Sequence, residues 1–249
     1  MSGLKYYLDD QIERNSLSGD SVYQSRTCTV VQAGNECVIL TNTGFREEIV
    51  MKIIIVGAAG SVGQAAAHAL SGRHELIRVG RTSGDVQMDI EDIDSIRTMY
   101  QQVGKIDAVL CAVGHVHFGP VDEMSSEQFM TGIHGKVLPQ VNLVLQGIDY
   151  LNDNGSFTVT SGVTNRDPIR GGSCAAAANG ALDGFVVGAA VDMPRGIRIN
   201  AVSPEVLESC REAYDGFFPG HTHVSNEAVG EAFVKAVEGC LSGQIIIVE

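Results

Sequence analysis

Positive charge is scarce in this chain: 17 Lys and Arg stand against 30 Asp and Glu, giving a formal net charge of −13 at pH 7. An acidic surface repels phosphate backbones, which excludes nucleic acid as the natural partner and favours small molecules. Long apolar runs are missing too. Met51 to Val56 and Ile245 to Val248 are far shorter than the ~20 residues of a membrane-crossing helix, so no membrane association is expected. No charged-then-apolar export signal is visible at the start. The six cysteines (28, 37, 111, 174, 210 and 240) lack the paired spacing of a metal site and read as reduced thiols of a cytoplasmic protein. What is present, 249 residues with 44% hydrophobic content, suffices for one sizeable α/β domain and a small appendage.

The most informative stretch is Met51 to Leu70, MKIIIVGAAGSVGQAAAHAL. A β-branched run, Ile53 to Val56, meets a glycine-rich turn at Gly57, Gly60 and Gly63, and an Ala-rich helical pattern comes next. Glycine serves where backbone turns tightly and approaches a diphosphate, and the next helix offers its positive end to that anion. Strand before and helix after make this a dinucleotide-binding expectation, with Gly57, Gly60, Ser61, Val62 and Gly63 as the cofactor-facing residues.

Residues 1–50 differ in character from the rest of the chain. TCTVVQ and CVILTN flank Ala33-Gly34-Asn35-Glu36 as a hairpin pattern, and the segment is expected to be a dispensable extension. From Met51, strand patterns at 53–56, 75–80, 85–90, 106–112, 155–160, 197–202 and 244–249 alternate with helical spacing at 91–103, 125–151, 174–193 and 226–241. Pro139 is placed to kink the long central helix. Short apolar strands separated by helices predict a Rossmann-type, doubly wound parallel sheet covered on both faces.

With these elements in order, residues 51–249 resemble the short-chain dehydrogenase/reductase family. The resemblance rests on GAAGSVG after the first strand, Asp89 ending the third, and Cys111-Ala112-Val113-Gly114 ending the fourth. Ser161 in TVTSG and the RINAVSP run, Arg198 to Pro204, complete it. It implies that Asp89 meets the adenine ring and that Ala112 and Gly114 contact the cofactor. It also implies that Ser161 polarises a substrate carbonyl. The 75–80 strand ends in Gly80-Arg81-Thr82-Ser83, where NAD enzymes of this architecture place an acid. A guanidinium and two hydroxyls suit a 2′-phosphate, so NADP is expected over NAD.

One departure decides the chemistry. The family's reductases carry a proton-donating Tyr and, four residues on, a Lys that holds the nicotinamide ribose. Aligned on 173–182, those positions hold Ala175 and Asn179, the latter retained as a cofactor contact. All six tyrosines (6, 7, 23, 100, 150 and 214) and all five lysines (5, 52, 105, 136 and 235) lie outside 151–213. The replacement candidates are Lys136 and His134, two residues apart on one helix, so that only one faces the site easily. His115, His117, His221 and His223 are further proton carriers. These two His-x-His pairs could also chelate a metal, but nothing in their spacing joins them, and no metal is expected.

The expectation is therefore an NADP-dependent oxidoreductase acting on a small carbonyl/alcohol pair, with Ser161, Lys136 and His134 as its catalytic residues. A catalytically silent NADP(H)-binding sensor and a non-redox isomerase or dehydratase are the alternatives, because fold does not fix chemistry. The small-residue helix 173–190 presents a flat face, and a homo-oligomer, dimer or tetramer, is expected.

Overall fold

A computed structural model describes residues 50–249 throughout and, within 1–49, the backbone of four strands at 13–17, 20–24, 28–33 and 36–41. The chain divides into two units, 1–49 and 50–249. In the first, strands β1 (Glu13–Leu17), β2 (Asp20–Gln24), β3 (Cys28–Ala33) and β4 (Glu36–Thr41) form an antiparallel meander. The hairpin read around Ala33 and Glu36 is the β3–β4 pair, in which these two residues face each other. Its turn residues 34 and 35 lie outside the described residues.

The second unit is a parallel sheet of seven strands: β5 (Lys52–Val56), β6 (Glu75–Gly80), β7 (Val86–Gln87), β8 (Ile106–Cys111), β9 (Leu151–Thr160), β10 (Arg198–Pro204) and β11 (Ile245–Val248). Their spatial order is β11-β10-β9-β8-β5-β6-β7. Successive residues of a strand face opposite sides of the sheet. Hence Ile53 and Ile55 pack with Leu70 and Phe233 on one side, while Ile54 and Val56 pack with Tyr100, Leu143 and Val186 on the other. That explains the unbroken apolar run of β5: both its faces are buried. Helices α1 (Ser61–Leu70) and α6 (Asn226–Glu238) cover the first side. Helices α2 (Ile93–Val103), α4 (Leu138–Gly147) and α5 (Ser173–Ala189) cover the second.

Two elements differ from expectation. The third strand is only Val86–Gln87, because the Asp89 N–H turns to the Ser95 hydroxyl (3.0 Å) instead of a neighbouring strand. The long central helix is three pieces: α3 (Ser126–Gly132), a π-turn at Ile133–Val137, and α4. Pro139 has no N–H for the Gly135 carbonyl, which accepts instead from the His115 N–H at 3.1 Å. A π-turn of this kind commonly accompanies function. Among the described residues, no helix is long and apolar enough to cross a membrane.

The sheet reverses direction between β5 and β8: chain order runs outward through β6 and β7, then returns to β8 on the opposite flank of β5. Ligands of open α/β sheets bind in the crevice at the carboxyl ends of strands at such a switch point.

Candidate active site

The glycine turn builds one half of this crevice. Gly57 has φ +82°, and a Cβ there would meet the Val113 methyl at 2.5 Å and the Ala112 carbonyl at 2.7 Å. A Cβ on Gly63 would run into the carbonyl group of Gly57. Folding itself requires both glycines. Gly60 is different: its Cβ would make only an ordinary 3.5 Å contact, so the chain does not demand glycine there. As the N-cap of α1 it offers no side-chain hydrogen bond to the first-turn amides. A bare Cα and uncapped amides at a helix N-terminus are what a pyrophosphate needs, and the residues present fit a dinucleotide.

Beside this turn lies a cavity of about 550 Å³, floored by Met88 and Ile90 and edged by Arg81, Thr82 and Ser83. Asp89 is not part of its wall; its neighbours Met88, Ile90 and Glu91 are. The expected adenine contact by Asp89 would have to be made from beside the cavity. With β7 ending early, its carboxylate turns to Arg81 Nη2 at 3.0 Å. Arg81 also faces Glu91 at 3.5 Å.

The second half of the crevice is a cavity of about 400 Å³ lined by Ala112, Gly114, Lys136, Ser161, Ala175 and Asn179, among others, with Val62 reaching it from α1. Buried Gln140 clamps the end of β9, accepting from the Thr160 N–H (2.8 Å) and donating to its carbonyl (3.0 Å). The Thr160 hydroxyl donates to the Cys111 carbonyl at 2.7 Å, tying β9 to β8. Ser161, next along, donates its N–H to the Val202 carbonyl at 3.0 Å. Its Oγ is buried without a partner, a costly state unless a ligand or water completes it.

Lys136 reaches this point from the π-turn. Its stem crosses the Cα of Gly114, where a Cβ would come within 2.6 Å of it, and glycine ending the CAVG segment is needed for that passage. The ammonium donates to the Ser161 carbonyl at 2.7 Å and to Asn179 Oδ1 at 2.6 Å. The Asn179 amide donates in turn to the Thr164 hydroxyl at 2.9 Å. Burial pulls the Lys136 pKa down from 10.5 to about 8, with the Asp183 carboxylate acting in the opposite direction. Burial likewise pushes the Cys111 thiol up to about 12, so it stays protonated. His134, two positions earlier, is exposed and lines neither cavity. The helix therefore turns Lys136 inward and His134 outward, which corrects the expectation that His134 joins the site.

At Asn179, expected to stand at the family's Lys position, an ammonium arrives within hydrogen-bond distance from the opposite helix. Sequence reasoning kept both residues as candidates without pairing them, because 43 positions separate them in the chain. It also set aside Tyr214, which falls one residue outside the segment searched. Tyr214 lines the same cavity with Glu205, Cys210 and Phe218, from the segment between β10 and α6. Cys210 donates its thiol to the Ser61 hydroxyl at 3.2 Å and ties that segment to the start of α1. His115 lies against both cavities, its ring over the Cα of Gly135. His117 and His223 line neither cavity.

Comparison with known proteins agrees with this fold. A family model described as Enoyl-(Acyl carrier protein) reductase matches residues 62–236. A hydroxynaphthalene reductase of Aspergillus fumigatus is 22% identical over 194 residues, covering 74% of this chain and 70% of its own. Among solved structures, the protein lin1944 of Listeria innocua is 48% identical, with a TM-score of 0.79, over 80% of this chain and 100% of its own. A small-chain dehydrogenase in complex with NADPH is 22% identical, with a TM-score of 0.71, over 80% of this chain and 97% of its own.

Proposed function

Because the chain belongs to the short-chain dehydrogenase/reductase family, we propose that it is an NADP-dependent oxidoreductase interconverting a small carbonyl compound and its alcohol. The observation that carries this reading is the Lys136 ammonium, held between the Ser161 carbonyl and Asn179 in the second cavity. Bound nicotinamide supplies or accepts the hydride. The amides opening α1, with the bare Cα of Gly60, hold the pyrophosphate. Arg81, Thr82 and Ser83 hold the 2′-phosphate, in line with the NADPH bound by one structural neighbour. Arg81 is already paired with Asp89 and Glu91, yet it is exposed, and such surface pairs contribute only ~0–1 kcal/mol. A doubly charged phosphate can displace them.

The Ser161 hydroxyl donates to the substrate oxygen, satisfying its own orphaned atom. Lys136 gives the proton at Nζ and balances charge growing on that oxygen. A pKa of about 8 suits proton transfer near neutral pH. Asn179 holds the ammonium in place rather than contributing charge of its own.

Fluorescence titration with NADPH and NADH, followed by turnover against a carbonyl panel, tests the reading. Micromolar NADPH binding, weaker NADH binding, and turnover slowed by Ser161→Ala are expected; indifference to both dinucleotides contradicts it. Ala175, at the place of the family's Tyr, favours a second reading as a silent NADP(H) binder. Tight NADPH binding with no turnover across the panel selects that one. Helix α5 leaves Gly184, Val187 and Gly188 exposed on one face, which supports a homo-oligomer that sedimentation at micromolar concentration would detect.

A further inference from the structure

Three ligating side chains gather beside the second cavity, apart from Lys136 and the glycine turn. Asp167 lies in the connection from β9 to α5, Glu205 directly succeeds β10, and His221 belongs to the segment leading to α6. Their ligand atoms lie within 4.8 Å of one another. The His221 side chain is 5% exposed and that of Glu205 7%, whereas that of Asp167 is 66% exposed. His221 Nδ1 stands 3.1 and 3.2 Å from the two Glu205 oxygens. Its Nε2 lies 3.7 Å from Asp167 Oδ2, too far for a hydrogen bond.

A neutral imidazole has one N–H to give. With that proton on Nδ1, donated to Glu205, the buried ring aims a lone pair from Nε2 at a second carboxylate. Acceptor then faces acceptor, a gap that either a second ring proton or a metal ion fills. The separation suits a metal ion. Two ligands each about 2.0–2.2 Å from one ion stand roughly 3.3–3.8 Å apart at tetrahedral to somewhat wider angles. A carboxylate on the far ring nitrogen is also the arrangement that fixes tautomer and direction in a metal-binding histidine. Phe218 packs edge-on against the ring at a centroid distance of 5.3 Å and holds its plane. The adjacent Arg166 is engaged elsewhere, its Nη1 donating to the Ser203 hydroxyl at 2.5 Å. Exposure of Asp167 leaves room for water to complete the coordination shell.

We propose that Asp167 and His221 bind a divalent ion of the zinc class, with Glu205 orienting His221. The ion clips the segment between β10 and α6, which carries Tyr214 and Phe218 over the second cavity, to the β9–α5 connection. Chain position gave no hint of this, because the His-x-His spacing pointed at His223 rather than at two carboxylates distant in sequence.

The test is calorimetric titration of Zn²⁺, and separately Co²⁺, into the full chain and into His221→Ala, Asp167→Asn and Glu205→Gln variants. Circular dichroism checks that each variant is folded. The expected result is one saturable equivalent, with visible Co²⁺ absorption bands, lost in His221→Ala and Asp167→Asn. Glu205→Gln, which keeps both ligands, should weaken binding by roughly ten- to hundredfold. Absence of saturable binding up to millimolar metal overturns the proposal. So does binding that survives His221→Ala, which would locate the ion elsewhere, for example at exposed Cys240. Equal affinity in Glu205→Gln overturns the role given to Glu205.

Discussion

On the β5–β6 side of the crevice the backbone makes the site: Gly57 and Gly63 let the turn close, and Gly60 leaves the amides of α1 bare. On the β8–β9 side it is made by side chains converging from separate elements, Lys136 from the π-turn, Ser161 from the end of β9 and Asn179 from α5. The first half follows the family's pattern. The second, on the proposed reading, lacks its Tyr and Lys but brings the partly buried Lys136 ammonium to Asn179. On the proposed reading, the difference teaches that a charge can keep its place in a site while the residue carrying it moves to another helix.

Removing Lys136 should break the comparison most severely. Lys136→Ala is expected to lower kcat by about 10²–10⁴, the usual cost of losing a positioned acid, with the melting temperature and circular dichroism checking the fold. Under the proposed function, carbonyl reduction by the unaltered protein needs the protonated amine. Its rate should therefore fall as pH rises through about 8, and alcohol oxidation should rise over the same interval. Stability is linked to the same group. The unfolded chain keeps this proton up to 10.5 and the folded chain releases it near 8, so the folded state gains stability between those values. Lys136→Met should flatten that slope in denaturant titrations.

The glycine half can be divided by two neighbouring changes. Gly63→Ala drives a methyl into the Gly57 carbonyl group and should destabilise the fold by about 3 kcal/mol, read by thermal unfolding. Gly60→Ala meets nothing closer than 3.5 Å and should leave the melting temperature almost unchanged while weakening NADPH binding at least tenfold. Equal effects on both readouts would erase the distinction drawn between these glycines. The smallest expected effect is at Arg81, which is shared with two carboxylates. Arg81→Ala should reduce the preference for NADPH over NADH by only a few-fold, measured as a ratio of dissociation constants.

Much of the first half was legible in sequence because its information is local. Strand, glycine turn and helix occupy twenty consecutive residues, and the burial of Ile53 to Val56 on both faces of the sheet matches their unbroken apolar type. The third strand reads too long, at 85–90, because the hydrogen bond from the Asp89 N–H to the Ser95 hydroxyl that follows its end leaves no local pattern. The second half was only partly legible. Periodicity indicated that Lys136 and His134 cannot both face inward, but not which one does; that depends on the π-turn and on the clearance at Gly114. The contact of Lys136 with Asn179 and the placing of Tyr214 are tertiary facts without a sequence period.

The most direct test of a relocated charge is to move it back. NADPH dissociation constants for the natural protein, Lys136→Asn, Asn179→Lys and the double exchange form a cycle that requires no substrate. The account predicts that Lys136→Asn weakens binding at least tenfold and that Asn179→Lys lowers the melting temperature by crowding two buried ammonium groups. The double exchange should return affinity to within a few-fold of the starting value. If Lys136→Asn binds NADPH as well as the natural protein, or the double exchange is as weak as the single, the ammonium at Asn179 is not what holds the cofactor's place.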